Sequence, residues 1–187
     1  MPALFLALLT SALAMVGGRP ALLTARLSGH LGGNVGLIAV CWLTAIVTSA
    51  LAGWGGAWLA SQMAPAAKSM FVAAALAVSS LELLLMRSSN TPAEPTRSLG
   101  AVALVLLAEQ VVDAARFLVL ALSVATGAPA LATAGGALGS GAVLSAAWSL
   151  GGVWEARLPL KPIRLGVSGL FLIAAVIVAL SARGVIG

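Results

Sequence analysis

The stretch Leu107-Ala108-Glu109-Gln110-Val111-Val112-Asp113-Ala114-Ala115-Arg116-Phe117 lies near the middle of an apolar run from Leu99 to about Ala125. An apolar run of this length predicts a membrane-spanning helix. Ionisable side chains inside a membrane are costly unless they are paired or functional. The spacing of Glu109, Asp113 and Arg116 predicts that all three share one face of this helix. The rest of the chain must therefore give this segment a polar environment.

The composition indicates an integral membrane protein. The chain has 187 residues, of which 61% are hydrophobic and 8% are charged, and its mean hydropathy is +1.11. Soluble domains carry about 25% charged residues, so this chain lacks the polar groups that a water-exposed surface needs. Its basic residues lie at the ends of apolar runs, which is typical of topology determinants and not of nucleic-acid binding. No nucleophile–base set, phosphate loop or Cys/His metal spacing occurs, so we expect neither enzyme activity nor a bound cofactor.

Six apolar runs predict an all-α integral membrane bundle of six transmembrane helices. The predicted spans cover, in order, about 2–26, 35–60, 69–86, 99–125, a segment that follows Pro129 and ends near Trp154, and 165–182. Gly17-Gly18-Arg19-Pro20 predicts a kink in the first span, because glycine weakens a helix and proline removes a hydrogen bond. The chain 1–187 is predicted to be one transmembrane domain. Repeat one covers about 1–86, a polar linker about 87–98, and repeat two about 99–187.

The two halves of the chain resemble each other at a nearly constant spacing. Leu23, Leu27 and Ser28 match Leu118, Leu122 and Ser123 at a spacing of 95 residues, and Gly55-Gly56-Ala57-Trp58 matches Gly151-Gly152-Val153-Trp154 at a spacing of 96. Three spans per half place the halves in opposite orientations. This inverted repeat is the plan of many secondary transporters, in which the binding site lies at the repeat interface near the membrane midplane.

The basic residues predict the orientation of the chain. Lys68 and Arg183 fall on one side of the predicted bundle, and the following six fall on the other: Arg26, Arg87, Arg97, Arg157, Lys161 and Arg164. The positive-inside rule then places the links of this second set in the cytoplasm and both termini outside it. We expect a multi-pass protein of a bacterial inner membrane whose main partner is the lipid bilayer. The sequence leaves its oligomeric state open.

Three interpretations of the charges inside the membrane stay open. In the first, Asp113 forms a structural ion pair with Arg116 or with Arg19, which lies on the kinked part of the first span. In the second, Asp113 binds a cation or a proton. In the third, the two arginines attract an anion.

Several segments of the second half resemble the GDT family of membrane proteins (uncharacterised protein family 0016): Leu106-Leu107-Ala108-Glu109, the run 117–122, Leu158-Pro159-Leu160 and Ile163-Arg164. The resemblance implies a six-span inverted-repeat transporter that exchanges manganese or calcium for protons. It also implies an acidic signature, Glu-x-Gly-Asp-(Lys/Arg)-(Thr/Ser), on the first span of each repeat. The signature falls on residues 15–20 and 110–115. Only Gly17 and Arg19 match in the first copy, and only Asp113 matches in the second.

The resemblance also implies the site residues. Asp113, Glu109 and Gln110 would hold the transported metal ion, and Arg19 and Arg116 would supply compensating charge. Hard divalent cations need six or more oxygen ligands, so this set predicts a degenerate ion site. The predicted function is a manganese/calcium–proton exchanger with such a site. The alternative is a non-transporting membrane protein in which the intramembrane charges form a structural ion pair.

Overall fold

The computed structural model describes residues 1–86 and 98–185, and the regular elements in these ranges are all helical. They are α1 (Pro2–Val16), α2 (Arg19–Leu31), α3 (Val35–Gln62), α4 (Pro65–Leu85), α5 (Leu99–Val111), α6 (Ala114–Thr126), α7 (Pro129–Leu150), α8 (Trp154–Arg157) and α9 (Leu160–Ala182), with a 3-10 turn, Gly151–Val153, between α7 and α8. The predicted all-α class is confirmed. The predicted linker, with Arg87 and Arg97, lies outside the described residues except for Ser98.

Helix length and hydropathy make this a multi-pass membrane protein. In the described part of the chain, four helical segments are long and apolar enough to cross a membrane: α3, α4, the run from α7 through α8, and α9. The α1–α2 pair makes a fifth if it is counted as one span that bends by 60° at its break. This bend confirms the kink predicted in the first span. Pro20 lies in the first turn of α2, where its missing N–H costs no hydrogen bond.

The prediction of one continuous fourth span is wrong. The apolar run is divided into α5 and α6, each 13 residues long, whereas a spanning helix needs about 20 residues. Asp113 lies between them with an extended backbone (φ −80°, ψ 146°) and caps α6. Glu109 and Arg116 therefore belong to different helices, and the predicted shared face with Asp113 does not exist.

Two other predicted boundaries shift for local reasons. The fifth span ends as an α-helix at Leu150, because Gly151 takes a positive φ of 52° that begins the 3-10 turn. The sixth span begins at Leu160 and not near Leu165. Pro162 lies in the first turn of α9, a position that proline tolerates.

The break between α1 and α2 recurs with the same geometry between α5 and α6. Gly18 and Asp113 are both extended N-caps, and the left-handed C-caps Gly32 and Gly127 donate their backbone N–H groups to the carbonyls of Ser28 and Ser123. Equivalent helix ends lie 95 residues apart: Val16 and Val111, Gly18 and Asp113, Gly32 and Gly127. The spacing that relates the two sequences therefore also relates their helix breaks.

Two helix pairs join the halves through polar contacts, α3 with α7 and α4 with α9. Along α3 and α7, Trp42 Nε1 donates to Ser145 Oγ over 3.0 Å, and Thr133 Oγ1 donates to the carbonyl of Ser49 over 3.4 Å. Between α4 and α9, the hydroxyls of Ser80 and Ser168 lie 2.9 Å apart, and each lies 2.9 Å from the other residue's carbonyl. These contacts hold one half of the bundle against the other.

One end of the bundle gathers several connections that carry basic residues. Arg26 Nε lies 2.6 Å from Glu155 Oε1, which joins the end of α2 to α8. Arg164 Nη1 donates over 3.2 Å to the carbonyl of Met86, just after α4. The links from α2 to α3 and from α8 to α9, and the chain at Met86, therefore share this end.

Candidate functional site

The two helix breaks face each other inside the bundle. A Cβ atom added to Gly18 would lie 3.2 Å from Oδ1 of Asp113. Asp113 is only 2% exposed, and its Oδ2 accepts a hydrogen bond from the backbone N–H of Ala115 over 3.2 Å. This bond satisfies one of the free N–H groups at the start of α6. The segments on which the sequence placed the two signature copies are thus neighbours in space.

Two further carboxylates lie within electrostatic range of Asp113. They are Glu82 of α4 and Glu109 of α5, and both are partly buried. The Glu82 carboxylate lies near the backbone N–H of Ala114, the first residue of α6. Its Oε2 is buried and has no hydrogen-bond partner among the described residues. The N-terminus of α6 favours negative charge at this point, so acidic side chains from three parts of the fold converge on the second break.

Arg116 is buried in a network of neutral partners. Its side chain is 3% exposed. Nη1 donates to Ser49 Oγ over 2.6 Å, and Nη2 donates to Gln110 Oε1 over 3.1 Å. Nε is buried and has no partner among the described residues. The guanidinium is therefore held in place by hydroxyl and amide groups.

Gln110 connects this network to α3. It is fully buried, and its Nε2 donates to Thr44 Oγ1 over 2.8 Å. Its Oε1 accepts from Arg116 and also from Thr48 Oγ1, over 3.2 Å. Both ends of the amide are thus occupied. A metal ion at Oε1 would compete with Arg116 for the same oxygen.

The structural ion pair proposed from the sequence is not formed. Among the described residues, no side-chain carboxylate lies within 4.0 Å of the guanidinium of Arg116 or Arg19, and the ion pair within that distance joins Arg26 to Glu155. Arg19 is exposed. The charges of Arg19 and Arg116 act on Asp113 through space but make no contact with it, because Arg116 is turned toward Gln110 and α3.

Several of the positions equivalent to those of the network are apolar. At the spacing of 95 residues, Met15 corresponds to Gln110 and Ala21 to Arg116, and both are fully buried. At the spacing of 96, Leu144 of α7 corresponds to Thr48 of α3, and it is also fully buried. The network joins Gln110 and Arg116 of the second half to α3 of the first, and its Gln110–Arg116 pair has no polar counterpart at the equivalent positions.

The predicted metal ligands are distributed over this region without enclosing an ion. Asp113 faces the first break, Glu109 is partly exposed, and the amide of Gln110 belongs to the network with Arg116. Within residues 1–86 and 98–185, no three His, Cys, Asp or Glu side chains are grouped closely enough to hold a metal ion. The ligand set proposed from the sequence stays a prediction.

Comparisons with known proteins leave the family of this chain open. No protein-family model, no curated protein and no solved structure matches it.

Proposed function

We propose that the protein is a proton-coupled cation transporter of six spans in two inverted three-helix repeats, with Asp113 as its ion- and proton-binding carboxylate. The observation that carries the proposal is the contact between the two helix breaks, where Gly18 lies against Asp113 Oδ1. Broken helices that meet at a repeat interface are the usual site of substrate in inverted-repeat transporters. In this arrangement α1–α2 and α5–α6 are each one broken span.

The chemistry of the second break suits a group that alternates between a cation and a proton. Asp113 is buried and receives one backbone hydrogen bond, and Glu82 has one buried oxygen without a described partner. A carboxylate in this setting can be neutralised either by a proton or by a cation, since a buried charge left alone is costly. The resemblance to the GDT family makes manganese or calcium the cation to test first.

The test is flux through reconstituted proteoliposomes. The purified protein should move Mn²⁺ or Ca²⁺ against an imposed proton gradient, and a pH-sensitive dye should report the opposing proton movement. Asp113→Asn should abolish both signals while it leaves the helix cap intact, because an asparagine side chain caps a helix about as well as an aspartate side chain does. Glu82→Gln should reduce them, and Glu155→Gln, at the end of the bundle, should not.

Two results would reject the exchanger. One is flux no greater than that of empty liposomes, and the other is flux that Asp113→Asn leaves unchanged.

The alternative is a membrane protein that transports nothing. The observation that favours it is the network of Arg116 with Gln110, Thr44, Thr48 and Ser49, which ties α3, α5 and α6 together. In this alternative, the polar groups inside the membrane hold the helices of the bundle together. The same liposome measurement separates the two functions, since this alternative requires silent vesicles from a correctly folded protein.

A further inference from the structure

A cavity lies beside Arg116, between α3 and the α5–α6 break. Its volume is about 190 Å³, and its lining residues are Thr48, Leu51, Ala52, Val111, Arg116, Phe117 and Leu120. Leu51, Val111 and Phe117 are exposed on the outside of the bundle, so the cavity opens toward the surface that the bilayer covers. Apart from Thr48 and Arg116, every lining residue is apolar.

Arg116 brings to this cavity a positive charge that no described carboxylate contacts. A guanidinium has five N–H groups, and two of them, one on Nη1 and one on Nη2, have partners. Both partners are neutral, Nε has no described partner, and no described carboxylate lies within 4.0 Å. A buried charge without a counter-ion is costly. An anion in the cavity would remove that cost.

The shape and lining restrict the class of anion. An engineered cavity of about 150 Å³ with an apolar lining is known to bind benzene, so this cavity has room for a ligand of that size. The apolar walls favour a ligand with an apolar body, and the guanidinium favours a carboxylate, which it can bind through paired N–H groups. A strongly hydrated inorganic anion would lose its water without gaining polar partners from the walls.

We propose that this cavity is a binding site for a monocarboxylate with an apolar body, whose carboxylate lies against the Arg116 guanidinium. The ligand enters from the water as a small organic acid or from the bilayer as a fatty acid. The site is separate from the cation site proposed above, because it lies on the α3 side of Arg116, whereas Asp113 faces Gly18.

The experiment measures ligand-dependent stabilisation and calorimetric binding of the purified protein in a non-ionic detergent. The probes are benzoate, its neutral isostere benzamide, chloride, and decanoate as a membrane-soluble carboxylate. Benzoate should bind saturably and raise the unfolding midpoint, and benzamide and chloride should not. Arg116→Gln should lower the affinity for benzoate at least about tenfold, since a hydrogen-bonded charge contributes that much to affinity. Arg19→Gln, which alters an exposed arginine away from the cavity, should leave benzoate binding unchanged.

A second variant keeps the test decisive if Arg116→Gln does not fold. Leu51→Trp adds bulk to the cavity wall without changing any charge, and it should lower the affinity for benzoate. Stronger binding of decanoate than of benzoate assigns the site to a ligand from the bilayer, and the reverse assigns it to a soluble acid.

Equal binding of benzoate and benzamide would overturn the proposal, as would stabilisation by chloride alone or benzoate binding that survives both Arg116→Gln and Leu51→Trp. These outcomes do not depend on cation flux, so the two proposals can fail separately.

Discussion

Asp113 has a structural role through its oxygen, and in the proposed transporter it has a separate chemical role through its charge. Its Oδ2 caps α6 by accepting the N–H of Ala115. Its Oδ1 faces the first break at Gly18. Only the second role depends on ionisation, because an amide oxygen can cap a helix equally well.

Substitutions at Asp113 should separate these roles. Asp113→Ala should lower the free energy of unfolding by about 1 kcal/mol, the usual loss on removing an N-cap. Asp113→Asn should leave stability nearly unchanged. Denaturant or thermal unfolding in detergent, followed by circular dichroism, gives both values. A large loss of stability in Asp113→Asn would mean that the charge itself holds the fold together.

The side-chain amide of Gln110 stabilises the fold through hydrogen bonds to more than one helix. Gln110→Leu would leave Arg116 Nη2 without its partner in a fully buried site, and Thr44 Oγ1 would keep only its bond to the carbonyl of Cys41 among the described residues. We expect a loss of about 1–3 kcal/mol for the unsatisfied groups. The same unfolding measurement applies, with Gln62→Leu as the control, since Gln62 is exposed and its side chain donates to the adjacent Ser61. Equal effects of the two substitutions would contradict this role.

The backbones of α1 and α7 come into close contact at two glycines of α7 that lie one turn apart. Cβ atoms on Gly135 and Gly139 would collide with the backbone carbonyls of Leu4 and Leu8. These carbonyls belong to α1 and cannot rotate away as a side chain could. Small residues that allow such backbone contact are typical of helix pairs in membranes.

A larger residue in place of one of these glycines should push α1 and α7 apart. Gly139→Val should destabilise the protein by about 1–3 kcal/mol, the usual cost of overpacking. Gly166→Ala in α9 is the matched control, because an added Cβ there meets nothing within 4 Å. The control should be neutral or stabilising by up to about 1 kcal/mol, since alanine favours a helix over glycine. Thermal unfolding of the two variants side by side provides the comparison.

The α1–α2 break offers a gain-of-function test. Gly18→Asp would place a second carboxylate opposite Asp113, at the position equivalent to it in the first half. Two carboxylates bind a divalent cation more strongly than one, so we expect Mn²⁺ affinity to rise. Electron paramagnetic resonance of free Mn²⁺ measures it. Gly18→Asn has nearly the same volume without the charge, and a similar gain in that variant would contradict the explanation.

The sequence predicted the first break but not the second. Pro20 and two glycines marked the kink before α2, whereas Val111-Val112-Asp113-Ala114 contains neither residue and continues an apolar run. A usable signal was present, because Asp113 is a good N-cap residue and lies 95 residues after Gly18. The repeat spacing could have transferred the break from one half to the other.

The site was only partly accessible to sequence reasoning. Charges inside apolar runs drew attention to Asp113 and Arg116, but Thr44, Thr48 and Ser49 are ordinary residues of an apolar helix and gave no signal. Their role depends on how α3 packs against α5 and α6. The alternation of polar and apolar residues along a helix does not determine such contacts between distant segments.

The arrangement of the links predicts which segments share a membrane side. In a Cys41→Ser background, His30→Cys and Lys161→Cys should react with an impermeant maleimide from the cytoplasmic side, and Ser61→Cys from the other. Inside-out and right-side-out vesicles expose the cytoplasmic side and the opposite side, respectively, to the maleimide. Labelling of His30→Cys and Lys161→Cys from opposite sides would contradict the shared end of the bundle, and labelling of both from outside would contradict the predicted orientation.

The polar network has no counterpart around Met15 and Ala21, and this asymmetry has a consequence for the resting conformation of the proposed transporter. Two identical inverted halves give inward-open and outward-open forms of equal free energy, because exchanging the roles of the halves converts one form into the other. Here Gln110 and Arg116 hold α3 by hydrogen bonds, whereas Met15 and Ala21 make only apolar contacts in the first half. If the protein is the transporter proposed above, its two forms therefore differ in free energy, and we expect it to rest with one side closed in the absence of ligand.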